Sequence, residues 1–351
     1  MAGAAMLALS TALPPHELRQ AEVLRQAEAL FEDRFPDFRR LKAVFRTTGI
    51  ERRWSVRPFD WFAEPHGWPD RAQAFLQGAE DLFVEAAGRA LADAGLGAGE
   101  VDAVVTVSST GIATPSLEAR VMTRLGFRPE VFRVPVFGLG CAGGVSGLAV
   151  AARLAEARPG TNVLFVAVEL CTLSFRLDQL TSANVVATAL FGDGAAACVL
   201  RAGGDAAGLG TVGADASHTW PDTLDIMGWS VDPGGLGVIF AQSIPPFAEA
   251  HLGPAVAGML ERMGTRRETV ERFVCHPGGT KVVQALERSL DLQGGELDHE
   301  RAVLADCGNM SSPTVLFVLD RVLKARPPER MVLTAMGPGF SAACAGFALA
   351  A

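Results

Sequence analysis

The sequence predicts an α/β protein made of two similar layered halves, in which helices cover mainly parallel sheets. One reason is that strand-like apolar runs alternate with helix-like segments along the whole chain. A second is an internal repetition, because FGDGAAACVL at 191–200 is echoed by MGPGFSAACAGFAL at 336–349. VVTVSSTG and RFVCHPGG also occupy similar positions in the two halves. The pattern restarts near Leu209, so we expect an N-terminal half at 1–208 and a C-terminal half at 209–351.

The elements of the first half follow from the spacing of apolar residues. The N-terminal run predicts a first strand, and the pattern behind two prolines predicts an amphipathic helix over 15–31. A long helical pattern over 72–94 ends at Gly95, a residue that commonly closes a helix. The remaining predictions are strands at 101–109, 131–137, 162–168 and 191–200, a small-residue helix to about 157, and helical content in 176–189.

The second half is read in the same way. Proline and glycine are dense over 232–246, which predicts a loop or cap between strands. In the segment 307–320, Pro313 suits an early helical position, and Ser311 or Ser312 suits the N-cap. The other predictions are a helix at 247–263, a strand at 271–276, a helix from Lys281 and a last strand from Met331.

Composition excludes several classes of function. The 351 residues are 49% hydrophobic and 20% charged, and the net charge of −8 argues against nucleic acid or an anionic membrane as a partner. No apolar run reaches the roughly 20 residues that span a bilayer, and the N-terminal run lacks the basic start of a secretory signal. The six cysteines show no ligand spacing, so we expect no metal and mostly buried thiols in the reducing cytoplasm.

The stretch VFRVPVFGLGCAGGVS at 131–146 predicts a strand, a tight glycine turn and the start of a helix, with Cys141 at the turn. A helix N-terminus favours negative charge, and the thiolate is the reactive form of cysteine, so the turn suits a nucleophile. Two other interpretations remain open at this point. The glycines also fit G-x-G-x-x-G with Glu169 ending the next strand, as in a dinucleotide site, or they serve only close packing.

Two further polar residues are predicted to lie near the ends of strands or the starts of helices, as Cys141 does. His276 follows the strand at 271–276, and Asn309 holds in the second half the place that Cys141 holds in the first. Functional groups of layered α/β folds gather at such strand ends. Together the three would supply a thiolate for acyl capture and two N–H donors for an oxyanion or enolate. No carboxylate base is included, which suits carbon–carbon bond formation driven by decarboxylation.

Several motifs resemble those of the chalcone synthase-like type III polyketide synthases. They are GLGCAGG, VAVELCTLSFR, LFGDGAAA, VCHPGGTK, GNMSSPTVLFVLD and MGPGF, in consistent order over nearly the whole chain. The resemblance implies a thiolase-like αβαβα fold, a homodimer, and a catalytic triad of Cys141, His276 and Asn309. It also disfavours the dinucleotide interpretation, because Cys141 occupies the turn that a pyrophosphate would need.

The reaction that the resemblance implies is a decarboxylative Claisen condensation. An acyl-CoA starter would acylate Cys141, held as a thiolate by protonated His276, and malonyl-CoA would then lose carbon dioxide to give an enolate that attacks the thioester. CoA thioesters would be the substrates, with no cofactor or metal. The cyclised product would be an alkylpyrone or alkylresorcinol. The alternatives are a short-starter pyrone or phloroglucinol synthase, or an enzyme like ketoacyl-ACP synthase III.

The resemblance also assigns substrate contacts. Phe191 matches a gatekeeper between the CoA tunnel and the growing chain. The other implied residues are Thr114, Cys171, Ser174, Val238 and Ser311 in the substrate cavity, and Arg40, Lys42, Arg46 and Gly278 at CoA. Because none of Thr114, Cys171, Ser174 and Val238 is bulky, we expect a medium- or long-chain fatty starter. Trp229 near a position that is glycine in plant members would oppose this by filling the cavity.

Overall fold

The computed structural model describes residues 3–203 and 208–349. In these ranges the strands are β1 Ala4–Ala12, β2 His16–Arg19, β3 Arg52–Ser55, β4 Ala103–Val107, β5 Phe132–Val136, β6 Val163–Leu170, β7 Asp193–Arg201, β8 Gly210–Thr219, β9 Met227–Asp232, β10 Gly235–Phe240, β11 Arg272–Cys275, β12 Arg330–Gly337 and β13 Ser341–Ala348. The helices are α1 Gln20–Phe31, α2 Phe38–Leu41, α3 Val44–Thr47, α4 Trp68–Asp93, α5 Leu117–Arg120, α6 Met122–Leu125, α7 Gly143–Ala157, α8 Ser182–Leu190, α9 Ile244–Arg262, α10 Thr280–Ser289, α11 Asp298–Cys307 and α12 Thr314–Lys324.

Nine strands form one continuous sheet in the order β11-β12-β13-β8-β1-β7-β6-β4-β5. The prediction of a mainly parallel sheet is wrong, since the parallel pairs are β4–β5, β4–β6 and β11–β12 and the other five pairs are antiparallel. A parallel pair needs a connection that crosses to the opposite end of the sheet. After β6 the chain instead re-enters where that strand ended, so that Asp193 lies opposite Leu170.

The sheet confirms the two similar halves. In the first half the order β4-β6-β7-β1 corresponds to β11-β12-β13-β8 in the second. The repeated segments form β7 and β13, and each of these two strands lies between the equivalent neighbours. β5 adds an edge strand beside β4 that lacks a counterpart among the strands of the described ranges.

The two halves of the sheet form the two β layers, and helices lie between them and on both outer faces. The result is a five-layered αβαβα arrangement, as predicted. The central layer holds α7 and α12, whose apolar side chains pack into one core with residues from both ends of the sheet. On the outer face of the first half lies α4. α9 and α10 cover the outer face of the second half. Every residue of β6 is buried, which explains its continuous apolar run, because helices cover both faces.

Several local predictions were wrong. Residues 16–19 are not helical but pair with 52–55, so the first helix begins only at Gln20. Much of the predicted loop at 232–246 belongs to the β9–β10 hairpin and to the start of α9. Helix α11 was not predicted. No helix within the described ranges has both the length and the apolar character needed to cross a membrane.

Candidate active site

Cys141 lies in a single 3₁₀ turn, Gly140–Ala142, between β5 and the first residue of α7. The turn needs glycine at two positions, since Gly138 and Gly140 have φ values of 91° and 48°. A Cβ at Gly140 would also lie 2.6 Å from Pro338 Cδ. The Ser109 hydroxyl accepts hydrogen bonds from the N–H groups of Gly138 and Gly140, each at 3.2 Å. The strand–turn–helix setting of Cys141 is therefore as the sequence predicts.

Asn309 lies just before the N-terminus of α12, and Cys141 lies just before the N-terminus of α7, the other central helix. The two residues therefore hold equivalent places in the two halves. Its side-chain Oδ1 accepts the N–H of Ser311 at 2.8 Å, and its Nδ2 donates to the carbonyl of Gly278 at 3.2 Å. Its backbone forms hydrogen bonds with the two residues that flank Phe191. The Asn309 N–H donates to Leu190 O at 2.8 Å, and the Asn309 carbonyl accepts from Gly192 N at 3.0 Å. These contacts hold the amide in one orientation.

His276 follows β11 and is buried. Its backbone N–H donates to Thr334 O at 2.9 Å, and its carbonyl accepts from Gly278, whose own carbonyl receives Asn309 Nδ2. Neither ring nitrogen has a hydrogen-bond partner within the described residues. Burial lowers the pKa of His276 to about 4, so the free imidazole is neutral at physiological pH. A neutral imidazole carries one N–H donor and one nitrogen that can accept a proton.

The thiol of Cys141 is also neutral before substrate binds. Burial raises its pKa to about 12, hydrogen bonds with the Ser311 and Asn309 side chains act in the opposite direction, and the charge of Glu169 adds to the rise. Ser311 also lines the same small chamber as Cys141. The predicted thiolate–imidazolium pair is therefore not the resting state that burial favours for either residue.

Glu169 joins the two helix starts and was missed by sequence reasoning, which considered it only as the acid of a dinucleotide site. Its carboxylate accepts from the Ser109 N–H at 2.9 Å, the Thr110 hydroxyl at 2.8 Å and the Ser312 hydroxyl at 2.9 Å. Burial raises its pKa to about 7. Because Ser312 binds Glu169, the prediction that a serine side chain caps α12 is wrong.

A small chamber of about 40 Å³ adjoins Cys141. Phe191, Trp229 and Phe240 wall it, with the Phe191 ring 6.3 Å from that of Trp229 and 6.2 Å from that of Phe240. Val238 lies opposite Trp229 in the hairpin and also lines the chamber. The other lining residues are Gly140, Cys141, Cys171, Met227, Gly228, Ile239, Ser311 and Pro338. Aromatic side chains thus fill most of the space beside the sulfur.

A larger cleft of about 590 Å³ lies on the other side of Phe240, which lines both spaces. Arg40 and Gly278 line this cleft, and so does Lys281, a cation that sequence reasoning did not assign. Phe240 was also missed, although its position two residues beyond Val238 puts it on the same face of a strand. The cleft has the size and the cationic side chains to hold a nucleotide-like substrate.

Three predicted residues do not line the space to which the family resemblance assigns them, which is the cleft for two of them and the chamber for the third. Lys42 is paired with Glu28 at 3.0 Å and with Glu32 at 3.4 Å, while Arg46 is exposed and does not line the cleft. Thr114 is exposed and does not line the chamber. Cys171 and Ser174 lie in the turn after β6 and line a separate cavity of about 50 Å³, which Cys171 and Phe191 share with the chamber.

The chemistry available here is that of a thiol, an imidazole and an amide. Among the described residues, no group of three or more His, Cys, Asp or Glu side chains is placed to hold a metal ion. A thiol can form a thioester, and the imidazole and amide can donate to a developing negative oxygen. The arrangement can therefore support acyl capture followed by stabilisation of an enolate.

Comparison with known proteins covers both halves of the chain. Residues 66–204 match the N-terminal domain of the chalcone and stilbene synthases, and residues 214–344 match the C-terminal domain. The 1,3,6,8-tetrahydroxynaphthalene synthase of Streptomyces peucetius subsp. caesius is 39% identical, over 99% of this chain and 93% of that protein. A putative chalcone synthase of Bacillus subtilis (strain 168) is 36% identical, over 96% of each.

The fold gives the same result. The crystal structure of 1,3,6,8-tetrahydroxynaphthalene synthase from Streptomyces coelicolor A3(2), a bacterial type III polyketide synthase, superimposes with a TM-score of 0.93 over 99% of each chain at 28% identity. The thiolase-like fold implied by the motifs is therefore confirmed. Family, fold and the order of the motifs agree: this chain belongs to the chalcone and stilbene synthase family, the type III polyketide synthases, which are acyl-CoA-condensing acyltransferases.

Proposed function

We propose that this chain condenses a short acyl-CoA starter with malonyl-CoA and closes the product into a hydroxylated ring without an alkyl tail. The observation that supports this is the size of the chamber beside Cys141, about 40 Å³ between Phe191, Trp229 and Phe240. The two tetrahydroxynaphthalene synthases described above are named for a product with a ten-carbon ring system and no tail. The acyl-CoA would bind in the cleft that Arg40 and Lys281 line.

In the first step, the Cys141 sulfur attacks the starter carbonyl while its proton passes to His276. The pKa values of about 12 and about 4 mean that the resting pair is neutral, so the proton moves only as the new carbon–sulfur bond forms. The carbon–sulfur bond to CoA then breaks, and the departing thiolate takes the proton back from His276. Cys141 is left as an acyl thioester, and His276 is neutral again.

In the second step, malonyl-CoA loses carbon dioxide, and the electron pair of the broken bond forms an enolate on the thioester oxygen. The Asn309 amide and the His276 ring would donate hydrogen bonds to that oxygen. Asn309 is already oriented for this, because Oδ1 is occupied by the Ser311 N–H and the Nδ2 side faces Gly278. The enolate carbon then attacks the Cys141 thioester, the bond from the carbonyl carbon to the Cys141 sulfur breaks, and the sulfur leaves as a thiolate that takes up a proton from solvent. The product is a β-ketoacyl-CoA two carbons longer, which returns to Cys141 by thioester exchange before the next extension.

A long-chain starter remains the second candidate because of the cavity that Cys171 and Ser174 line. Much of its wall is apolar, and it lies directly beyond Phe191, so a fatty tail could enter if that ring moved. Each buried methylene contributes roughly 0.8 kcal/mol. On this view kcat/KM would rise with starter length, as the absence of bulky residues at Cys171, Ser174 and Val238 led us to expect.

Rates across acyl-CoA starters from acetyl to stearoyl decide between the two. For the short-starter proposal, kcat/KM should fall once the acyl chain exceeds a few carbons, and Trp229→Gly should extend the range toward longer starters. The matched control is Trp220→Gly, which removes a tryptophan packed against Phe247 and Phe340, away from the chamber. If kcat/KM rises with starter chain length and Trp229→Gly leaves that dependence unchanged, the long-chain candidate is established. Activity only with carrier-bound malonyl groups would instead indicate a ketoacyl-ACP synthase III-like role.

We also propose that two copies associate through the edge of the sheet at β5. Phe132 and Phe137, at this edge, are 57% and 59% exposed, and Ile112 nearby is 54% exposed. A second copy would cover these apolar side chains.

The six cysteines are unpaired thiols, which suits the cytoplasm, and we propose that catalysis needs no metal or cofactor. Sedimentation should show a dimer that Phe137→Asp dissociates, and chelators should leave activity unchanged.

A further inference from the structure

Glu300 is a buried carboxylate that the mechanism above does not use. It lies on α11, and its side chain has no exposed surface. Burying a carboxylate is unfavourable unless hydrogen bonds and a positive charge compensate for the lost water. Both kinds of partner are present, and both come from β11, the strand that leads directly to His276.

The two carboxylate oxygens of Glu300 have different partners on β11. Oε1 accepts the backbone N–H of Cys275 at 3.0 Å, and Oε2 accepts from Arg272 Nη2 at 2.8 Å. Arg272 Nη1 donates in turn to the carbonyl of Glu296, which lies just before α11. These hydrogen bonds tie the strand to the helix and to the segment that enters it.

The position of Cys275 connects these contacts to the active site. β11 is an edge strand of the described sheet, so β12 pairs with it on one side only. On that side the N–H of His276 donates to Thr334 O at 2.9 Å. An edge strand leaves its other N–H groups without a strand partner, and for Cys275 the acceptor is Glu300 instead. The backbone that carries the imidazole is thus held from both sides.

Glu300 also joins the segments that carry the two proposed enolate donors. β11 leads to His276, and α11 ends two residues before Asn309. Nearer the site, Asn309 Nδ2 donates to the carbonyl of Gly278 in the loop after His276, so the two segments are linked at two points. A misplacement of about 1 Å can cost on the order of 100-fold in rate, so links of this kind affect catalysis.

We propose that Glu300 is a positioning residue for His276, and that its hydrogen bond to the Cys275 N–H sets the place of the imidazole in the active site. This inference rests on the proposed function, in which His276 takes the thiol proton and donates to the enolate. Arg272 supplies the charge that lets the carboxylate stay buried. Because Glu300 reaches the site only through the backbone of β11, its effect on rate should pass through His276.

The test compares two double variants, because removing Glu300 alone would leave the buried charge of Arg272 unpaired. Arg272→Met/Glu300→Met, the methionine variant, removes both charges and leaves the Cys275 N–H without its acceptor. Arg272→Met/Glu300→Gln, the glutamine variant, removes the same charges but keeps an amide oxygen for that N–H. Release of labelled carbon dioxide from malonyl-CoA gives kcat and KM for decarboxylation. Labelling of Cys141 by the best starter of the acetyl-to-stearoyl series gives the loading rate.

The methionine variant should lower kcat for decarboxylation and the loading rate by about tenfold each, because His276 acts in both steps. KM for malonyl-CoA should not change, and the glutamine variant should restore most of both rates. In a His276→Ala background neither double variant should cause a further loss, since residues that act as one unit show non-additive effects. The matched control is Arg301→Met, which breaks the 2.8 Å ion pair with Glu287 on the same helix and should leave both rates unchanged.

Each outcome supports or rejects the positioning role. A tenfold loss that persists in the His276→Ala background would show that Glu300 does not act through His276, and equal rates in the methionine and glutamine variants would show that the bond to Cys275 does not matter. If the methionine variant does not fold, Glu300→Asp, which shortens the reach to Cys275 by one methylene, takes its place and should show the same dependence on His276. If His276→Ala itself leaves both half-reactions unchanged, the proposed function is overturned, and the positioning role falls with it.

Discussion

The starts of the two central helices occupy equivalent places in the two halves, yet they differ in how their side chains are held. At the start of α7 the backbone is fixed, with Ser109 holding two glycine N–H groups, while the Cys141 thiol is a neutral group whose burial raises its pKa. At the start of α12 the Asn309 amide is itself held by hydrogen bonds to Ser311 and Gly278. The nucleophile must form and break bonds, whereas a donor to an enolate works best in one fixed orientation.

The largest effect should come from removing the group that reacts. Cys141→Ala should abolish acyl labelling from a radioactive starter CoA and reduce turnover by at least about 10⁴-fold, because the covalent step is lost. Cys171→Ala is the control, since that buried thiol lines the same chamber. Labelling that survives in Cys141→Ala and disappears in Cys171→Ala would move the nucleophile to Cys171.

The next effect should come from the fixed donor and should be confined to one half-reaction. Asn309→Ala should slow decarboxylation of malonyl-CoA by about 100- to 1,000-fold while Cys141 still accepts the starter. His276→Ala should slow both half-reactions, because the imidazole also takes the thiol proton. If Asn309→Ala slows loading and decarboxylation equally, Asn309 does not act in decarboxylation alone.

A third prediction concerns Glu169, which contacts both starts through Ser109 and Ser312. The folded protein keeps its proton up to a pKa of about 7, against 4.5 in an unfolded chain, so its stabilising contribution is complete below about pH 4.5 and is lost as pH rises through 7. Relative to Glu169→Gln, the wild type should lose about 3 kcal/mol of unfolding free energy between pH 4.5 and 8. Urea unfolding of both proteins at several pH values measures this, and parallel curves would contradict it.

The smallest effect should follow from loosening the turn at Cys141 without touching the thiol. Ser109→Ala leaves the N–H groups of Gly138 and Gly140 without their acceptor, which should lower the unfolding free energy by about 1–3 kcal/mol. Starter loading should slow severalfold, since the sulfur is less well placed. Ser108→Ala is the matched control, because the Ser108 hydroxyl has no hydrogen-bond partner in the described structure. Equal losses of unfolding free energy and loading rate in both variants would show that the Ser109 hydroxyl does not hold the turn.

The layers, the duplication and the turn at Cys141 were predictable because each follows from a local pattern. Glycines at Gly138 and Gly140, an apolar run before them and small residues after them specify a strand, a turn and a helix within twenty residues. The direction of β7 was not predictable in this way. It depends on where the chain re-enters the sheet after α8, and nothing in the apolar pattern of that strand records its direction.

Glu169, Phe240 and Arg53 were missed because they make their contacts with residues far away in the chain. Arg53 reads as one more cation in a basic stretch, and only the fold shows that it is buried against Gly308 and bonded to Phe191. For the same reason Lys42 was assigned to CoA, whereas two glutamates on α1 and after it hold its ammonium group. A sequence gives the charge of a side chain but not its partner.

The placement of β1 at the centre of the sheet sets an order of events during synthesis. β1 lies between β7 and β8, and its residues pair with 195–201 on one side and 210–212 on the other. A ribosome makes β1 well before its partners, which emerge about two hundred residues later. The nascent chain must therefore keep an apolar segment unpaired while those residues are made, and closing so long a loop is slow. A strand made early is thus among the last to take its place in the fold.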